Sequence, residues 1–352
     1  MKLSSIKKII TVPRDADGLR VDRFVHNKLG IPQNLLFKLL RKRAIAQVDS
    51  NGKPRLTTGS ERVYPGMQLQ IPTELMTISP SEKPKAPASK SETNTAVKFV
   101  SRMLPVLYEN ESVAVFNKPA GLACQGGSKI KYSVDTLLAK IDSSDETGYR
   151  LVHRLDRGTT GALAVAKSRI AANTLTKAFS DRTVDKEYVA VIRGIPKAPQ
   201  GMITAPLIST GTKTVAVSED SADAKQAKSA VTKYKTLATG KFNSQDVALI
   251  SLNILTGRKH QIRAHCAQVL GCPVLGDAKY TVGEEEANEE DKSDSDSGIQ
   301  NNQQIGGNMF LHLYRLSIPP SISVKAPFPK SWSDAFRQLN IPFSKKKGSA
   351  NE

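Results

Sequence analysis

Two stretches of this chain hold almost nothing that a fold could bury, and they set where folded units can lie. Residues 73–104 include SPSEKPKAPASKSETNT, a run of Pro, Ser, Lys, Glu, Ala and Thr. Such a composition does not offset the entropy lost on ordering, so a flexible linker is expected there. The second stretch, 281–307, contains EEEANEEDKSDSD (284–296) and runs on through GIQNNQQIGG. It is too long and too polar for an ordinary loop and reads as a disordered acidic insertion inside a domain. What remains is a small unit at 15–72 and a larger one at 105–343, with short ends at 1–14 and 344–352. Two folded units suit a chain of 352 residues.

The charge balance narrows the partner. Lys and Arg number 51 against 33 Asp and Glu, a net charge of +18. Eight of the acids lie in the 284–296 run, so the rest of the chain carries 50 bases against 25 acids. A surplus of that size favours a polyanion, nucleic acid before an anionic membrane surface. No run of 18 apolar residues exists, so no membrane insertion is expected. Three cysteines do not make a disulfide framework and point to a reducing compartment.

Residues 1–14, MKLSSIKKIITVPR, carry four bases and no acid. Two readings stand side by side: an amphipathic mitochondrial presequence, or a basic tail running into a first strand at IITVP. In the small unit, GLRVDRFVHNKLG has helical apolar spacing with Gly30 as its stop. A second helix opens after Pro32, with Leu35, Leu36, Leu39 and Leu40 inward. Lys38, Arg41, Lys42 and Arg43 lie mostly on its other side. Arg41, Lys42 and Arg43 are read either as a solvated face or as contacts to RNA phosphates. A short strand, an Asn51-Gly52 turn and a strand alternating Met67, Leu69 and Ile71 complete the unit.

The larger unit is expected to be α+β, because strands dominate and several neighbours suit antiparallel pairing. Its strands are ESVAVFNKPAG, GALAVAKS, VDKEYVAVIRG, DVALISLNILTG and MFLHLYRLSIP. Its helices are RIAANTLTKAFSDR, GRKHQIRAHCAQVLG and WSDAFRQLN. The densest polar cluster is LVHRLDRGTTG. Asp156 there lies between Arg154 and Arg157, where a loop meets a strand. Cationic neighbours keep a carboxylate ionised, as a nucleophile or base requires. The bland reading is a structural Asp bonded to the backbone of the following turn. A second cluster, TGRKHQIRAH, holds Arg258 and Arg263 five residues apart, so the two face different partners. Its bland reading is a basic helix start touching RNA backbone only. Tyr188 begins the apolar part of a strand, as core filler or as a platform for a base.

Other chemistries are excluded. Cys266 and Cys272 with His260 and His265 lack zinc spacing. No phosphate-binding Gly-Lys-Ser/Thr loop, no Gly-x-Gly-x-x-Gly after a strand and no Gly-x-Ser-x-Gly occurs.

HRLDRGTTG followed far downstream by GRKHQIRAH resembles the RluA-type pseudouridine synthases. FNKPAGLACQ, KEYVAVIRG and GCPVLGDAKY fit the same family in order, and 15–72 resembles the alpha-L RNA-binding module that often precedes its catalytic domain. The resemblance implies an α+β fold built on a mainly antiparallel mixed sheet flanked by helices and loops. It implies isomerisation of uridine in RNA, with no cofactor and no metal. It assigns Asp156 as the essential residue, Tyr188 as the base-stacking aromatic and Arg263 as the partner of the catalytic carboxylate. Substrate contact is expected from His153, Arg154, Arg157, Arg258, His260 and Gln261 in these motifs, and from Arg41, Lys42 and Arg43 in the small unit. Thr160 stands where Ser is commoner, and the helix after Pro32 lacks the usual Ser-Arg pair. The expected substrate is ribosomal RNA, with transfer RNA as the alternative and a non-catalytic assembly factor as the alternative of another class. The leader and low-complexity segments narrow the likeness to the fungal mitochondrial enzyme acting on large-subunit rRNA, so a mitochondrial location is expected before a cytoplasmic or nuclear one. A monomer is expected.

Overall fold

The computed structural model describes residues 7–73, 90–141, 148–280 and 309–339, apart from 32, 50, 127–129, 131, 212 and 219. The expected acidic insertion, the tail at 344–352 and the start of the leader lie outside those residues. The chain divides into two compact units, 1–89 and 90–352.

The small unit is α+β. It runs β1 (Lys7–Thr11), α1 (Val21–Leu29), α2 (Gln33–Arg41), β2 (Ala46–Val48), β3 (Pro54–Leu56) and β4 (Gln68–Pro72). The sheet order is β1-β4-β2-β3, with Ile10 opposite Leu69. Of the two readings of the leader, the strand is the one seen: residues 7–11 form an edge strand, and Ile10 and Val12 are buried in the unit's core, so the unit starts before residue 15. Pro13 leaves little room for a helix, and Ile10 and Val12 are spaced for one face of a strand. Gly30 stops α1 in the left-handed region, φ 66°, as its position suggested.

The larger unit begins earlier than the sequence suggested. Residues 90–103 were expected to be linker; they form α3 (Lys90–Met103). The composition of 73–104 is uneven along its length. Its last part carries Val97, Val100, Met103 and Leu104, a helical stripe with Val100 and Leu104 buried in the main core. Pro105 ends it.

The unit continues through β5 (Val106–Glu109), β6 (Val113–Lys118), α4 (Val134–Leu138), β7 (Arg150–Leu151), β8 (Thr160–Ala166), α5 (Arg169–Ser180), β9 (Asp185–Arg193), β10 (Gln200–Ile203), β11 (Leu207–Thr210) and β12 (Lys213–Ala216). It ends with β13 (Thr232–Phe242), β14 (Gln245–Ile254), α6 (Gln261–Ala264), β15 (Leu311–Ile318), β16 (Ile322–Lys325) and α7 (Ser333–Gln338). The main sheet reads β10-β13-β14-β9-β15-β8-β6-β5, with β16 against β15 and β7 against β8. Every pair is antiparallel except β15 with β8. This is the mainly antiparallel mixed sheet that was expected. No helix among the described residues is long and apolar enough to cross a membrane.

Two features bring the central strands together. Gly161 has φ 111°, and a Cβ there would lie 2.3 Å from the Leu313 carbonyl oxygen, so only glycine lets β8 and β15 approach. His312, wholly buried in β15, accepts from the Thr160 hydroxyl at Nδ1 (2.7 Å) and donates from Nε2 to the Ala326 carbonyl (3.2 Å). Burial pushes its pKa down to about 4. The unfolded imidazole titrates near 6.5, so between those values the unfolded chain binds the extra proton. This contribution to stability is full above about pH 6.5 and is lost as pH falls towards 4, about 3 kcal/mol in all. Melting temperature measured against pH should fall over that window, and His312→Gln should flatten the fall. An unchanged slope in the variant would contradict the assignment. His153, pushed down to about 3 by burial, acts in the same direction.

Candidate active site

Asp156 sits in the loop before β8, where the Thr159 N–H bonds back to the Asp156 carbonyl (3.0 Å). The loop is held from beneath by Lys118, at the end of β6. Its ammonium is fully buried and donates to the carbonyls of Pro119 (2.8 Å), Leu122 (2.8 Å) and Arg157 (3.2 Å). Burial lowers the Lys118 pKa to about 8. The Arg157 side chain adds a bond from Nε to Gly121 (3.0 Å). With its peptide pinned on both sides, the loop presents the Asp156 carboxylate, about a quarter exposed, to an open cleft of about 230 Å³.

Arg263 meets it from α6. Its Nη1 lies 3.3 Å from Asp156 Oδ2, while Nε and Nη2 form a fork with Asp277 at 2.6 and 2.7 Å. The Asp277 side chain is wholly buried and that of Arg263 is 9% exposed. Burial alone would lower the Arg263 pKa; the bonds to Asp277 outweigh it and raise the value. The guanidinium is thus fixed by Asp277 and turns its remaining nitrogen to Asp156. Tyr188, in β9 opposite Leu313 and Leu252, lines the same cleft. Burial, then the nearby Asp156 charge, pushes its hydroxyl pKa up, so the ring stays neutral. His260 precedes α6 with φ 51°, and its Nε2 lies 3.9 Å from Asp156 Oδ2.

The sequence readings divide on this geometry. Asp156, Tyr188, Arg263, His260, Arg154 and Arg258 line one cleft. His153 is placed elsewhere, which corrects its expected contact with substrate. Its ring stacks on Phe179 at 4.4 Å and its Nε2 accepts the Ala164 N–H of β8 (2.8 Å). Gln261 touches the cleft but its amide is used up. It accepts from the Thr256 hydroxyl and the Arg258 N–H and donates to the Val231 carbonyl and the Thr232 hydroxyl. It is a structural cross-link rather than a base reader. Arg157 does not line the cleft and secures the loop. Arg41, Lys42 and Arg43 are exposed on the small unit. The sequence reading assigned no role to Asp277, Lys118 or Tyr280, although each lies in a motif it quoted. A lone Asp between Gly276 and Ala278 has no charged neighbour until Lys279 to mark it. Among the described residues no cluster of His, Cys, Asp or Glu could hold a metal ion.

The chain has relatives among known proteins. The family model for RNA pseudouridylate synthase matches residues 112–268. Ribosomal large subunit pseudouridine synthase C of Pasteurella multocida (strain Pm70) is 34% identical over 282 residues, 78% of each chain. The mitochondrial RNA pseudouridine synthase 4 of Arabidopsis thaliana is 32% identical over 280 residues, 71% of this chain. The chain spans 57% of that plant protein's length. Human RNA Pseudouridylate Synthase Domain Containing 1 is 27% identical with a TM-score of 0.50, covering 66% of this chain and 85% of that one. The chain belongs to the RluA-type family of RNA pseudouridine synthases, which are isomerases.

Proposed function

We propose that this protein converts uridine to pseudouridine in ribosomal RNA, and that the RNA is that of the mitochondrial large subunit. The observation that carries the reaction is Arg263 Nη1 at 3.3 Å from Asp156, in a cleft walled by Tyr188. The reaction breaks the bond from C1′ to N1 and makes one from C1′ to C5; the proton leaving C5 is matched by one taken up at N1, so nothing is consumed. A base reaches such a cleft only when flipped from its helix, and Tyr188 supplies its stacking face. Asp156, held beside the Arg263 guanidinium, is the group that acts on the sugar or the base. The presence of all three residues disfavours a non-catalytic assembly factor.

Support for ribosomal RNA comes from relatives named as large-subunit enzymes. Support for mitochondria comes from the plant relative, which is named as mitochondrial. The small unit is an alpha-L type RNA-binding module on this reading. Pseudouridine mapped in organellar and cytosolic RNA after gene deletion should show loss at large-subunit rRNA positions, restored by the wild type and not by Asp156→Asn. Loss confined to transfer RNA would replace the ribosomal reading, and no loss anywhere would end the enzymatic one.

The module makes its own prediction. Arg41→Ala and Lys42→Ala should each weaken RNA binding and reduce the salt slope by about one, leaving the single-turnover rate at saturating RNA within about twofold. Titrations at several salt concentrations measure this; an unchanged slope would remove these two residues from the RNA contact.

A further inference from the structure

The position of the ring hydrogen of His260 depends on the bond that its Nδ1 makes to Tyr280. Its Nδ1 lies 3.0 Å from the Tyr280 hydroxyl, with the rings edge to face at 5.7 Å. The same hydroxyl oxygen accepts the Thr214 N–H at 2.8 Å. An N–H can only donate, so the Tyr280 oxygen uses a lone pair there and has its own proton to give. Directed at His260, that proton makes Nδ1 the acceptor and leaves the ring hydrogen on Nε2.

Nε2 points into the cleft. It lies 3.9 Å from Asp156 Oδ2, beyond hydrogen-bonding distance, and has no partner within reach among the described residues. Burial lowers the His260 pKa, opposing the pull of Asp156, so the ring is neutral near pH 7. A cationic ring would compete with Arg263 for the carboxylate; a neutral one leaves that pair alone. The backbone at His260 is left-handed, φ 51° and ψ 21°, which is uncommon outside glycine and recurs where a side chain must be aimed. Tyr280 is itself fixed, buried, with the Arg263 guanidinium 5.0 Å from its ring centre. One network thus holds Asp156, Arg263 and His260 about the same space.

We propose that the His260 Nε2–H donates to a carbonyl oxygen of the flipped uracil and stabilises the charge that collects there when the glycosidic bond breaks, with Tyr280 as the positioning residue that fixes the tautomer. This rests on the pseudouridine synthase reading given above. When C1′–N1 breaks, the electron pair stays with the base and spreads from N1 to O2 and O4. A preset donor at one of those oxygens is stronger in the transition state than in the ground state. His260 gives a hydrogen bond only and transfers no proton, so the reaction's balance is unchanged.

The test uses the full-length protein and a large-subunit rRNA fragment with the target uridine, or 2-thiouridine or 4-thiouridine in its place. Sulfur accepts hydrogen bonds weakly. Single-turnover isomerisation at saturating protein is measured alongside RNA affinity. His260→Ala should slow the reaction by about a hundredfold, with affinity within about twofold. His260→Gln, which keeps an N–H donor, should recover part of the rate. Tyr280→Phe should slow the reaction by about tenfold, by freeing the other tautomer. At one thio position the wild type should slow while His260→Ala shows little further loss. Wild-type rates for His260→Ala, or thio effects of equal size in wild type and variant at both positions, would overturn the proposal. If His260→Ala melts early, His260→Gln and Tyr280→Phe carry the same thio comparison. A wild-type protein that isomerises no RNA would overturn the underlying reading and this proposal with it.

Discussion

Replacing Asp156 by Asn should slow isomerisation by at least about three orders of magnitude, roughly 4 kcal/mol of barrier, while RNA binding survives. The two side chains have nearly the same size, and the loop beneath is held by Lys118 through the carbonyls of Pro119, Leu122 and Arg157, not through the Asp156 side chain. What disappears is the negative charge beside Arg263. Fold and affinity should therefore stay near wild type, and melting temperature should shift little. The comparison is single-turnover rate against dissociation constant for the two proteins on one RNA. Appreciable turnover by the purified variant would remove Asp156 from the chemistry.

Arg263→Ala should be costly in two currencies, and the structure adds the second. From the sequence, loss of Arg263 affects turnover, because Asp156 loses its cation. The fork to Asp277 shows that a wholly buried carboxylate is orphaned as well. Breaking a buried pair in this way costs about 3–5 kcal/mol of stability. For a unit of this size that lowers the melting temperature by roughly 10 °C. Pairing Arg263→Met with Asp277→Asn removes both charges at once and should recover much of the stability and none of the activity. Thermal melts and single-turnover rates on the single and double variants decide the matter. If Arg263→Ala melts like wild type, the Asp277 fork contributes no stability. If the double variant turns over normally, the cation is not required.

Periodic and punctuated elements were legible in the sequence. Gly30 and Gly271 stop helical segments in the left-handed region, at φ 66° each, and the alternating residues of β14 lie on a strand. Asp156, Tyr188 and Arg263 were singled out because charged or aromatic residues at loop–strand and helix starts stand out locally. Their convergence was not legible, since 107 residues separate Asp156 from Arg263. Asp277 and Lys118 were passed over for a related reason: their roles come from being buried, and burial of a single charged residue leaves no periodic trace. His153 and Gln261 erred the other way. They sit in conspicuous motifs, yet His153 Nε2 is bonded to β8 and the Gln261 amide is used up holding the segment from Val231 to Arg258. The helix at 90–103 was hidden by a composition shared with the residues before it.

Every side chain assigned to the chemistry falls between Lys118 and Tyr280, yet the site cannot exist at that point in synthesis. Asp156 belongs to the β8 side of the sheet, whereas Tyr188 and Arg263 belong to the β9 and β14 side. The strand that joins the two sides is β15, which pairs with β8 on one flank and β9 on the other. A nascent chain that stops before Leu311 holds every residue proposed for the chemistry in two half-sheets, each ending in an unpaired edge. Completion of the sheet and assembly of the cleft are then one late event, closing contacts far apart in sequence. A premature stop between 280 and 311 would leave a product with an intact motif inventory, no catalytic centre and two strand edges open to aggregation.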